Sequence, residues 1–335
     1  MKNKINLITR VKKAVTKRSG LICQADSLDR VTAKRQKQIR VWSFTSFSLL
    51  CFINCASAAG AGSATADFLN IGVGAKAAAL GGAMTAGAEG TDAMYWNPAG
   101  LSELKLAEAA FSHTIWTLGT SHMSAGYAIP LKGQAAIGVL LNYFSSGDIP
   151  KVDNTGLSTG NFSASDLSAA FCFSKKIIDS MAVGFNLKLI SSSIDDTSGS
   201  AFAADLGLKY ILSRSIILGA GVFNLGTNLK HILVDEALPM NIKAGILMKL
   251  ADVSLSADLI LPSAGSFGLS TGAEYLLPLG EDISIAARAG YSTAVSAGGL
   301  ASGIGFVIGG INLDYAFLMF GDLGNNHRFS IKIKL

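Results

Sequence analysis

From about residue 106 to the end, apolar side chains fall at every second position in stretches of about ten residues, with small or polar side chains between them. Ile242, Ala244, Ile246, Met248 and Leu250 point one way, while Asn241, Lys243, Gly245 and Lys249 point the other. Ile283, Ile285, Ala287, Ala289 and Tyr291 likewise oppose Asp282, Ser284, Arg288 and Gly290. A helix would scatter these charges over both faces, whereas period two is the pleat of a strand. Such segments are expected at 106–117, 121–131, 134–144, 163–173, 180–191, 201–212, 215–226, 239–249, 253–260, 266–276, 282–292, 298–308, 310–319 and 326–335, fourteen in all. All six prolines fall at segment ends or between segments, where a missing N–H breaks no ladder bond. Tight turns such as Pro130-Leu131-Lys132-Gly133 alternate loosely with longer gaps, 145–162 and 227–238.

The number and length of the segments suit a closed, bilayer-spanning antiparallel β-barrel, which needs an even strand count and strands of roughly 9–11 residues. Mean hydropathy is high, at +0.41. Even so, the best candidate for a spanning helix beyond the N-terminal leader, 289–313, contains seven glycines, each costing about 1 kcal/mol relative to Ala. Without spanning helices, a closed barrel is the other structure that lipid permits. A soluble β-sandwich would alternate too. Its outward face would be charged, however, and here the face opposite the apolar stripe is mostly Gly, Ala, Ser and Asn with scattered charges.

Charge redraws the N-terminus. The formal net charge is +5, yet twelve of the 28 basic residues lie in the first 40. Residues 41–58 carry no charge and end in Ala56-Ser57-Ala58. A basic region, an apolar stretch and small residues at a cleavage site describe an export signal, so 1–58 reads as basic leader and signal peptide. The basic region is long, which points to an extended leader or to a start upstream of the true one. An uncleaved anchor helix over 41–66 is the alternative. After cleavage 16 basic and 21 acidic residues remain, a net charge of −5, which removes the electrostatic argument for a nucleic-acid partner. Of the four cysteines only Cys172 survives, too few for an internal disulfide or a thiolate metal cluster.

Residues 59–105 break the period-two rule. They are rich in Gly and Ala and read as a compact plug, with a short helix near Asp92–Trp96 capped by Thr91 or Asp92. A fourteen-stranded barrel is too wide for its own side chains to fill. The stretch GAKAAALGGAMTAGAEGTDAMYWNPAGL resembles the N-terminal signature of the PorV/PorQ family, relatives of the FadL long-chain fatty-acid transporters. Further matches are ALPMNIKAGILMKL at 237–250, TGAEYLLPLGEDISIAARAGYST at 271–293 and DYAFLMFGDLGNNHRFSIKIKL at 314–335. The resemblance implies a hatch inside a barrel over 106–335, with Gly81, Gly82, Asn97, Pro98 and Gly100 matching the hatch motif. Paired glycines allow a tight backbone path, and Asn before Pro favours a turn. The motif either packs the plug alone or also meets a ligand. The last strand, with Phe329, Ile331, Ile333 and Leu335 on one face, is the expected assembly signal for the barrel-insertion machinery. Leu335 departs from the family's aromatic terminus.

Catalytic chemistry is not expected. The strings Gly156–Gly160 and Gly268–Gly272 fit GxSxG but lack the strand-turn-helix context that gives the motif its mechanism. His113, His122, His231 and His327 show no metal-ligand spacing. His113 and His122 read as rim residues beside a turn. No catalytic residue, metal or cofactor is therefore expected. Outer-membrane lipid should surround the wall, and two functions remain. One is transport of hydrophobic small molecules through the lumen, as the FadL resemblance implies. The other is binding of exported proteins in type IX secretion, as the PorV resemblance implies. The loops look modest in length, which favours transport.

Overall fold

A computed structural model describes residues 65–116, 119–231, 234–294, 299–319 and 324–335. The leader and the Ala56-Ser57-Ala58 signal lie outside the described residues.

The alternating segments form strands β1 (Glu108–Ile115), β2 (Ser121–Leu131), β3 (Ala135–Val152), β4 (Ser158–Ile178), β5 (Met181–Ile194), β6 (Thr197–Ile211) and β7 (Ile216–Gly226). After a small hairpin of β8 (Leu229–His231) and β9 (Val234–Glu236) come β10 (Asn241–Leu250), β11 (Val253–Pro262), β12 (Gly268–Pro278), β13 (Ile283–Ser292), β14 (Gly299–Ile308), β15 (Ile311–Met319) and β16 (Asn325–Lys334). All of these except β8 and β9 join one closed barrel, each strand antiparallel to its neighbours in sequence, with β7 beside β10 and β1 beside β16. Each of the fourteen expected segments is one wall strand. Closure is sealed by eight paired positions from Glu108↔Lys334 to Ile115↔His327, and the Leu335 amide donates to the Ala107 carbonyl at 2.8 Å.

The pleat sorts the side chains as the sequence suggests. Phe111, Leu187, Phe202, Leu206, Leu300 and Phe329 stand exposed on the outer surface, Phe202 at 63%. So continuous an apolar exterior on a closed ring belongs against lipid, since soluble monomers rarely expose patches of more than a few hundred Å². On β16, Arg328, Ser330 and Lys332 are buried inward, while Phe329 is exposed and Ile331 and Ile333 lie half-buried on the outer face. Among the described residues the fourteen strands close into one ring instead of two facing open sheets, which excludes the sandwich. Among the described residues no helix is long and apolar enough to cross a membrane.

Two loop expectations are corrected. Residues 145–162 are a continuation of the wall: β3 runs 18 residues and β4 21, joined only at 153–157. At about 3.3 Å per residue such strands outrun the roughly 30 Å hydrocarbon layer, so this hairpin projects beyond it. The polar run Ser145–Gly147 hides the extension in the sequence, and a register shift between Ser145 and Asp148 interrupts its alternation. Residues 227–238 contain the β8–β9 hairpin. Turns at the opposite rim are tight: 132–134, 179–180, 251–252 and 309–310.

Candidate functional site

Among the described residues the N-terminal segment, 65–104, is the most buried, and its contacts run to strands around the ring. It begins with a 3-10 turn, Asp67–Asn70, whose Phe68 and Leu69 pack with Ile190, Ala201 and Leu229 near the long-loop rim. Helix α1 (Ala75–Ala79) presents Ala75, Ala78 and Ala79 to Ala316 of β15. Small side chains at this face let the helix lie close to the wall. A second short helix, α2 (Ala93–Trp96), and a 3-10 helix, Pro98–Glu103, place Met94, Trp96 and Leu101 in a cluster with Ala128, Leu140 and Cys172.

The hatch-motif residues divide into two seats. Gly81 and Gly82 have φ of +64° and +79°, backbone that L side chains rarely adopt. A Cβ on Gly81 would lie 2.7 Å from the Tyr291 amide nitrogen of β13, so backbone meets backbone there. Asn97, Pro98 and Gly100 sit across the lumen, fully buried. Pro98 approaches Gly184 of β5 and Gly207 of β6 so closely that a Cβ at either glycine would overlap it. Asn97 ties the seats together: its Nδ2 donates to the Thr85 carbonyl at 2.7 Å and to the Leu208 carbonyl of β6 at 3.0 Å. Its Oδ1 accepts from the Ala99 amide at 3.2 Å, capping the 3-10 helix. The Asn97→Ala variant orphans these groups, and a buried unsatisfied group costs about 1–3 kcal/mol. We expect the N-terminal segment of that variant to become protease-sensitive while the barrel stays resistant, with Asn97→Asp, which keeps the acceptor and loses the donors, nearly as sensitive.

The capping role expected of Thr91 and Asp92 is corrected. Neither makes a side-chain cap of α2. Their polar groups are spent on the wall instead: the Thr91 amide and hydroxyl donate to Glu108 of β1 at 2.7 and 2.8 Å, and Asp92 pairs with Lys332 of β16. Burial pushes the Asp92 carboxyl above its ordinary pKa, against the pull of Lys332. Sequence reading missed Asp258 of β11 too, whose Oδ2 accepts from the Met84 and Thr85 amides at 2.8 and 2.7 Å. The signal was present, because Asp258 lies on the polar face of its strand, but nothing local says what it meets. Lys243 of β10 sits over the Trp96 and Phe223 rings at 5.1 Å and the Tyr95 ring at 5.8 Å, a cation–π arrangement. Lys76 of α1 pairs with Glu89 at 3.1 Å and holds that carboxyl well below the usual range.

Two cavities flank the segment. One of about 590 Å³ lies at the long-loop rim, lined by Phe68, Ile71, Phe144, Ile194, Asp166 and His231 among others. The other, about 290 Å³, opens at the tight-turn rim beside Lys76, Leu80, Met84, Lys209, Leu247 and Glu274. The first has a mixed lining, with Phe68, Ile71, Phe144 and Ile194 beside Asp67, Asp166, His231 and Glu236. His113 and His122 flank the turn between β1 and β2, as expected of rim residues, but face opposite sides of the wall: His113 lines an outer-surface groove with Phe111 and Phe329, and His122 is turned inward and buried. The GxSxG strings fall in a turn leading to β4 and within β12. Among the described residues no three His, Cys, Asp or Glu side chains are grouped to hold a metal ion.

No family model matches the chain, and no curated protein matches it. Solved structures do. The toluene transporter TodX of P. putida superposes with a TM-score of 0.61 at 13% identity, over 79% of this chain and 99% of that one. The toluene transporter TbuX of Ralstonia pickettii gives 0.58 at 14%, over 79% and 98%. A FadL homologue of Pseudomonas aeruginosa gives 0.53 at 10%, over 76% and 97%. These likenesses lend nothing to the PorV/PorQ half of the sequence resemblance. At such identities what they establish is architecture, and the architecture of this chain is a FadL-like fourteen-stranded β-barrel.

Proposed function

We propose that this chain is an outer-membrane channel for small hydrophobic molecules, with the N-terminal segment 65–104 as its gate. The observation that carries the reading is the pair of cavities at opposite rims, separated by a segment seated on the wall by hydrogen bonds, ion pairs and packing of small and apolar side chains. A molecule held among Phe68, Ile71 and Phe144 needs only a shift of that segment to pass inward. The similar structures described as toluene transporters support a small apolar cargo. The barrel-insertion machinery is the partner we assign to the outward face of β16, with Phe329, Ile331, Ile333 and the exposed Leu335. Type IX secretion rests on the PorV-like motif alone, so we retain transport.

The test is uptake. Cells displaying this chain in the outer membrane should accumulate labelled toluene several-fold faster than cells carrying an empty vector. Equal rates, with surface proteins instead trapped in the periplasm of the deletion strain, would reverse the choice.

A further inference from the structure

Five basic side chains of the wall are buried: Lys188, Lys209, Arg288, Arg328 and Lys332. Four of them face a carboxylate, namely Asp205, Glu103, the pair Glu274 and Asp314, and Asp92. Arg328 has none within ion-pair distance among the described residues. Its Nη1 donates to the Gly72 carbonyl, and its Nε has no partner.

What surrounds Arg328 is unusual in the same way. The ladder sets Thr114 of β1 opposite Arg328, and His122 of β2 opposite Thr114. Three inward side chains thus stand abreast on three neighbouring strands, with Asn326 two residues away on the same face of β16. All are at least 98% buried. Thr114 Oγ1, His122 Nε2, both amide atoms of Asn326 and Arg328 Nε lack hydrogen-bond partners. Buried polar groups are ordinarily satisfied, and an uncompensated buried charge is among the costliest arrangements in a protein. Arg328 Nε, Asn326 Nδ2, Thr114 Oγ1 and, in its Nε2–H tautomer, His122 can all donate, and four unpaired donors gathered about a lone guanidinium imply a common partner. The donors on offer are a guanidinium N–H, an amide NH₂ and a hydroxyl, set beside a positive charge.

We propose that Arg328, Asn326, Thr114 and His122 form a buried site for a small monovalent anion of chloride size. Water would satisfy the donors but leave the charge uncompensated. Burial on this scale leaves no path for a long tail at the same point. The site lies on the closing seam, β16–β1–β2, where the Gly72 carbonyl of the N-terminal segment meets the wall. An anion there neutralises Arg328 and fixes both the seam and the start of the gate. The inference does not depend on the cargo.

The experiment uses the full barrel purified in detergent. Its melting temperature is followed while chloride replaces gluconate at constant ionic strength, and crystals soaked in bromide are measured for anomalous scattering. Melting temperature should rise with chloride and saturate, as for any ligand that binds only the folded state, and a bromide peak should lie beside Arg328 Nε. Thr114→Val should shift half-saturation at least tenfold upward. Asn326→Asp, which supplies a fixed carboxylate, should abolish the chloride dependence while melting no lower than the wild type. Identical curves in chloride and gluconate with no bromide peak would overturn the site in favour of ordered water. Saturation by decanoate but not by chloride would overturn it in favour of an amphiphile headgroup.

Discussion

Gly290→Val will unseat the N-terminal segment 65–104 and leave the wall standing. Gly290 points into the lumen from β13, and a Cβ there would collide with the backbone of Leu80 and Gly81. Backbone cannot swing aside as a flexible side chain does, and Gly81 is itself pressed against Tyr291. Such overpacking costs about 1–3 kcal/mol. If about 2 kcal/mol of it falls on the seated state alone, the unseated population grows roughly thirtyfold. Valine is a good strand residue, so the ladder of β13 with β12 and β14 is retained. In planar bilayers the wild type should show rare, small openings, and the variant frequent large ones. Gly280→Val, at a turn where nothing lies within 4 Å of the added atom, should behave as wild type. A Gly290→Val barrel with wild-type conductance would mean that 65–104 does not control the pore.

What the sequence disclosed follows from the range of the forces involved. On β13 the alternation of Ile283, Ile285, Ala287 and Ala289 with Ser284, Arg288 and Gly290 is a local consequence of lipid on one side, so it reads directly. The Asn97–Pro98 turn was legible because its chemistry is local. Its Leu208 partner, 111 residues away, was not. The lumen contacts are longer still: Asp92 meets Lys332 across 240 residues and the Ala75 amide meets Ser330 across 255. Only closure of the ring brings such groups together, and no window of sequence contains both partners. His122 shows the same limit from the other side. Its place near a turn reads correctly as the rim, but only the register with Thr114 shows that its ring is turned inward and buried.

Removing a single cation from the lumen should cost more than removing the whole network it serves. Arg288 of β13 donates through Nε to Glu274 of β12 at 2.6 Å and through Nη1 to Asp314 of β15 at 2.7 Å. It reaches β15 by crossing β14 at Gly305, where any side chain would strike both Asp314 and the guanidinium. Three strands, β12, β13 and β15, are therefore linked through one buried charge that passes over β14. Arg288→Ala leaves Asp314 buried with no cation and Glu274 with only Lys76, 3.8 Å away. Breaking a buried pair in this manner costs about 3–5 kcal/mol, whereas replacing all members by apolar groups of like volume is often neutral. The temperature at which the unboiled barrel loses its fast gel mobility should accordingly fall sharply in Arg288→Ala. Most of the loss should return in Arg288→Met/Asp314→Leu/Glu274→Met, a non-additivity expected of residues in one network. If the single and triple variants melt alike, water screens these charges and the polar links are not what holds the wall and the gate together. If only the single variant suffers, desolvated ion pairs set the stiffness of the lumen, and segment 65–104 is seated on a wall that is itself held rigid by charge.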